Sequence, residues 1–152
     1  MSDASYTLLY GDIGESPYCS LLRLGSMTIL LDCGWDERFD INLLKNLINV
    51  IDEIDYVLIS HSGMKHLGAL PYLVGKLGLN VPIYATAPVW QMGQMVLYDI
   101  YQSNAKYNNF ANDFFSLDDV DDTFELFQQI NTFGKNIILK SRPMYKKVKI
   151  VH

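Results

Sequence analysis

At 152 residues, 49% of them hydrophobic, the chain can bury one real core and excludes a string of sizeable domains. It holds no apolar run of membrane length, Met1-Ser2-Asp3-Ala4 opens no signal-peptide pattern, and two cysteines, Cys19 and Cys33, exclude a disulfide scaffold and fit a reducing cytosol or nucleus. The net charge of −5 is uneven: from Lys135 onward there are six basic residues and no acidic one, which leaves −11 on the residues before.

Taken in order, Tyr6 to Tyr10 predicts a first strand, and Gly11 to Pro17 a turn-rich connection. Ser20–Leu24 and Met27–Asp32, joined by Gly25-Ser26, predict a hairpin with a two-residue turn. Leu30-Leu31-Asp32-Cys33-Gly34 places an aspartate at the end of a buried strand, just before a glycine turn. Cys33 reads as a buried thiol and Trp35 as a core or interface residue. Asp40 is a candidate N-cap for an amphipathic helix to Ile51, with Ile41, Leu44, Ile48 and Ile51 on one face.

Tyr56 to Ile59 predicts a buried strand. His61 and His66 follow it in a short loop, and a helix is expected from about Leu67 or Gly68, because Pro71 fits only a first turn. A strand that ends, throws histidines into an anchored loop and enters a helix is a common way to build a metal site. Only one further histidine exists, His152.

Gly78 marks the end of that helix, and Pro82–Ala85 a short strand. Thr86 is a candidate N-cap for a long helix towards Gln102. Its predicted core face holds Val89, Met92, Val96 and Ile100. Ser103 to Phe114 reads as a loop. Ser116-Leu117-Asp118-Asp119 predicts a capping box, followed by an apolar face of Val120, Phe124, Phe127 and Ile130. Caps and solvated charge account for Asp118, Asp119, Asp121 and Asp122 better than a cation site does. Asn136–Lys140 and Lys147–Val151 predict strands joined across Ser141-Arg142-Pro143. The basic residues Lys140, Arg142, Lys146, Lys147 and Lys149 read either as a solvated strand pair or as a contact for RNA or an acidic partner.

The loop carries a resemblance. His61-Ser62-Gly63-Met64-Lys65-His66 is similar to the His-x-His-x-Asp-His motif of the metallo-β-lactamase family, and Asp32-Cys33-Gly34 to its first motif. The resemblance implies an α/β fold: the N-terminal half of an αββα sandwich, a mixed sheet with flanking helices, across residues 1–152. The family's later metal motifs and the β-CASP domain of its RNA-cleaving branch are not matched. A half-sandwich is expected to leave an apolar face and sheet edges uncovered.

The motif is half kept. His61 and His66 match the outer histidines, Gly63 stands where the second histidine belongs, and Lys65 where the aspartate belongs. Zinc takes about three protein ligands from His, Asp or Cys. An ammonium held roughly 5 Å from a dication would be repelled by up to about 6 kcal/mol at an effective dielectric of 20. No catalytic residue and no bound metal are therefore expected, with Asp32, His61, Gly63, Lys65 and His66 a vestige. In active relatives the aspartate orients a histidine; here Asp32 either still bonds His61 or His66 or merely caps a turn.

Longer segments, among them Leu31 to Glu37, His66 to Tyr72 and Met92 to Met95, resemble the family's non-catalytic β-CASP branch. That resemblance implies a nuclear, structural subunit of the pre-mRNA 3′-end processing machinery. Its partners would be the zinc endonuclease subunit and other subunits, with indirect contact to pre-mRNA and none to membrane. The alternative is a metal-dependent RNA hydrolase with a reduced zinc site built from Asp32, His61 and His66.

Overall fold

The computed structural model describes residues 3–11, 14, 16–107, 114–130 and 139–140. Three strands open the chain: β1 (Ala4–Tyr10), β2 (Cys19–Leu24) and β3 (Met27–Cys33). They pair antiparallel, with Gly25 at φ +59 in the predicted two-residue turn. Short helical pieces follow: a 3-10 turn (Ile41–Leu44), α1 (Lys45–Val50) and a second 3-10 turn (Ile51–Glu53). Then come β4 (Tyr56–Leu58), α2 (Met64–Leu67), α3 (Leu70–Gly75), β5 (Ile83–Thr86), α4 (Ala87–Tyr107), α5 (Leu117–Glu125) and β6 (Phe127–Ile130). The six strands form one mixed sheet in chain order, and β3 to β6 run parallel.

Strand alternation sorts the sheet into two unlike faces. Leu9, Leu21, Leu30, Val57, Ile83 and Ala85 are buried and join one core with Leu47, Leu70, Leu73, Leu97, Val120 and Phe124 of the helices. Register partners put Tyr6, Leu8, Leu22, Leu24, Met27, Ile29, Leu31, Tyr56, Leu58 and Tyr84 on the other face. There Tyr6 is 63% and Leu8 55% exposed. The described helices cover the first face; on the second, exposure is confined to the β1–β2 end, while Ile29 is buried and the Tyr56 hydroxyl donates to the Lys140 carbonyl at 2.7 Å. The apolar face expected to be uncovered is therefore open only in part.

Several elements differ from their sequence expectation. The Asp40 helix starts as expected, with the Asp40 carboxylate accepting from the Asn42 N–H at 2.9 Å, but it divides into 3-10 and α pieces. The helix placed near Leu67 is two short ones. Pro71 has no N–H to give the Leu67 carbonyl, so the first helix stops there and Pro71 sits in the first turn of the second. The loop placed at Ser103 begins later: α4 continues to Tyr107, Tyr101 packs on Phe115, and Asn104 donates back to the Ile100 carbonyl at 3.0 Å. Phe127 and Ile130 belong to strand β6 rather than to the helical face, although the capping box at Ser116 and Asp119 forms as expected.

The methionine stripe of α4 is turned outward. Gly93 and Leu97 are buried, with Trp90 and Tyr101 packed beside them, whereas Met92 is 56% and Met95 71% exposed. Of the strand placed at Asn136–Lys140, only Leu139 and Lys140 are described, and they are not in a strand. The strand at Lys147–Val151, its Ser141-Arg142-Pro143 link, the basic positions Arg142, Lys146, Lys147 and Lys149, and His152 lie outside the described residues.

Candidate functional site

Asp32 is set by a kink in β3. Ser20 pairs with Leu31 and Cys19 with Cys33, so Asp32 is the extra residue of a bulge, and its φ is +55. A bulge re-aims the side chain it carries, and aspartate is among the few L residues that tolerate this left-handed backbone. The carboxylate reaches across to the end of β4. Its Oδ1 accepts the Ser60 N–H at 2.8 Å and its Oδ2 the Ser60 hydroxyl at 2.7 Å.

The same Oδ2 lies 3.1 Å from His66 Nδ1, so Asp32 does bond one of the predicted histidines directly. His61 is reached through Ser60, whose Oγ is 2.8 Å from His61 Nδ1. Donor counting fixes the roles. Ser60 has one hydrogen and gives it to the carboxylate, so its oxygen accepts from His61 Nδ1–H, and His66 Nδ1–H donates to Asp32. In the neutral ring each histidine then keeps Nε2 as its remaining acceptor. Their ring centroids are 4.5 Å apart, and Tyr18 stacks on His66 at 5.1 Å.

The loop is pinned from behind by backbone hydrogen bonds. Tyr18 N–H donates to the Lys65 carbonyl at 2.8 Å, Trp35 N–H to Met64 at 3.0 Å, and Ala69 N–H to the Cys33 carbonyl at 3.0 Å. Trp35 is fully buried, with Phe39, Tyr72 and Phe114 around its ring. Below the site, burial pushes the Cys19 thiol up to about 12 and Cys33 well above its ordinary range, so both are inert.

Beside His66 opens a cleft of about 570 Å³, bordered by Arg38, Gly63 and Lys65 among others. Gly63 faces open space, with nothing within 4 Å of where a Cβ would stand. Ser60, missed in the sequence reading, is the hub of the network. Its signal was a hydroxyl at a strand end directly before a histidine.

The comparisons with known proteins agree with this architecture. The model of the metallo-beta-lactamase superfamily domain matches residues 21–150. The chain belongs to that superfamily. It is 52% identical over 132 residues to the probable cleavage and polyadenylation specificity factor subunit 2 of Drosophila melanogaster, covering 87% of this chain and 17% of that protein. It is 45% identical over 136 residues to cleavage and polyadenylation specificity factor subunit 2 of Oryza sativa subsp. japonica, covering 90% and 18%. Integrator complex subunit 11 of Danio rerio is 36% identical over 95 residues, covering 58% and 16%. The chain thus spans less than a fifth of the length of these curated relatives.

The superfamily implies a metal, and the residues present do not fit one. Both Asp32 oxygens already accept hydrogen bonds, Gly63 brings no side chain and Lys65 brings a cation. Two imidazole Nε2 atoms remain, one donor short of an ordinary zinc site. Among the described residues no cluster of three or more His, Cys, Asp or Glu side chains could hold an ion. Nor do Ser60, His61 and Asp32 form a nucleophilic triad. The serine gives its hydrogen to the carboxylate rather than to a histidine base.

Proposed function

We propose that this domain serves as a non-catalytic, structural part of the nuclear pre-mRNA 3′-end cleavage and polyadenylation complex. In it the fold docks an active zinc endonuclease subunit and other subunits, and its own metal cradle no longer loads. The observation that carries the non-catalytic reading is the state of Asp32: its carboxylate is spent on Ser60 and His66, with a glycine and a lysine where two ligands would stand. The relatives named cleavage and polyadenylation specificity factor subunit 2 supply the assembly. A basic contact to RNA from Lys140 and the residues after it stays secondary in this reading, with pre-mRNA touched through other subunits.

Elemental analysis of the purified chain tests the cradle. Zinc well below one equivalent is expected for the native protein, against measurable loading for Gly63→His/Lys65→Asp, whose new side chain at 63 meets open space. Near-stoichiometric zinc in the native chain, lost on His61→Ala, would overturn the reading and favour the reduced hydrolase site, since the paired imidazoles are the one feature that supports it. Affinity capture of the chain from nuclear extract tests the assembly: recovery without an endonuclease subunit contradicts it.

A further inference from the structure

The outward stripe of α4 is unusual for a helix that is otherwise well packed. Met92 and Met95 lie one turn apart, more than half exposed, and Asp99 continues the same stripe. Tyr98 donates to Asp121 of α5, which joins the neighbouring helix to this surface. The two helices themselves are acidic, with Lys76 beside them paired to Asp119 at 3.4 Å. From Leu77 to Gly134 there are seven acidic residues and one basic, Lys106, while Ala87–Ala105 and Leu117–Glu125 hold no base.

We propose that this surface docks a basic amphipathic helix of a partner protein. The two methionines supply unbranched, adaptable apolar contact, and Asp99 on the same stripe, with Asp121 joined to α4 through Tyr98, supplies charge complementarity. The helix-on-helix mode seats apolar side chains at i and i+3 or i+4, the spacing of Met92 and Met95, and Asp99 one turn on offers a partner for a base. The same charge weighs against other occupants. Nucleic acid is repelled, and a second copy meeting this face would set Asp99 and the α5 aspartates against their own kind.

The test uses the full chain carrying labelled methionine methyl groups, titrated with a synthetic Leu/Lys amphipathic helix of about 18 residues, long enough for five turns. Met92→Leu and Met95→Leu assign the two signals. The expected result is saturable movement of Met92 and Met95, with Met27 and Met64 still. Met95→Lys/Asp99→Lys should weaken binding by roughly tenfold or more, as loss of a central anchor does. Movement at Met27 instead would place the peptide on the second sheet face and overturn the proposal. So would equal binding of a scrambled peptide of the same composition or of a Leu/Glu helix. A shift of Met92 and Met95 on replacing Lys146, Lys147 and Lys149 by Glu, before peptide is added, would assign the surface to the chain's own basic segment and overturn it as well.

Discussion

Gly34 and Lys65 are in backbone contact: a Cβ at position 34 would overlap the Lys65 carbonyl. That carbonyl already accepts from Tyr18, and Gly34 N–H donates to the Tyr18 carbonyl at 2.9 Å. Three segments, the approach to β2, the turn after β3 and the histidine loop, therefore meet at one point with no room for a side chain. Gly34→Ala is expected to cost about 3 kcal/mol or more, in the range of overpacking against rigid backbone. Denaturant unfolding measures it, and a loss under 1 kcal/mol would show that the loop can retreat.

Asp32 combines a left-handed backbone with three incoming hydrogen bonds. Asp32→Asn keeps a residue that accepts this φ and should cost less than Asp32→Val, which adds β-branched strain of about 1–3 kcal/mol. Nitrogen-15 spectra of the imidazoles give a second readout. His66 should keep its proton on Nδ1 in the native chain and lose that preference in Asp32→Ala. An unchanged tautomer would mean that the 3.1 Å contact does not hold the ring.

Asp119 links α3 to α5. Its carboxylate accepts the Ser116 N–H at 2.7 Å, faces Lys76 at 3.4 Å and lies against Gly75. Burial pushes its carboxyl up, but the hydrogen bonds from Ser116 and the Lys76 charge outweigh it and hold it below the usual carboxylate range. A depressed folded value stabilises above the unfolded value and is lost as pH falls through the folded one. Asp119→Asn should therefore cost about 1 kcal/mol at neutral pH, the size of a good cap. The gap to the native chain should close in acid below the ordinary aspartate range. A gap that persists there would assign the effect to packing against Gly75.

The exposed β1 end of the second sheet face predicts a separation of stability from association. Tyr6→Lys/Leu8→Lys should change unfolding free energy by no more than about 0.5 kcal/mol, as exposed positions do. It should also lower self-association, read by light scattering against concentration. A large loss of stability would mean that these side chains are packed in solution.

How much of this was legible beforehand differs by element. The hairpin at Gly25-Ser26, the caps at Asp40 and Ser116 and the position of Pro71 follow from local chemistry, and the structure has them. The two histidines and Asp32 were also legible, because strand-end placement is written in the run before each. Ser60 was legible only as a hydroxyl at a strand end before a histidine, and its role as the hub needs its partners to be known. Of the predicted α4 face, Val89 and Ile100 pack on the core and Met92 does not, for a physical reason: Gly93 is buried, with Leu67 against it. Its neighbours on the opposite side, Met92 and Met95, are therefore turned to solvent despite their apolarity. Helical spacing alone offered two apolar stripes, and only the contact chooses between them.

The bulge at Asp32 has a last consequence, for anyone comparing sequences. An acid in that place answers to two masters, the handedness of the chain and whatever ring it steers. Shape alone is enough to keep Asp, Asn or Gly there after chemistry has gone. The aspartate is thus a poor witness to whether a given family member can cut anything. Residue 63, where a side chain would meet open space, and residue 65, whose φ does not call for any particular side chain, are the ones to interrogate.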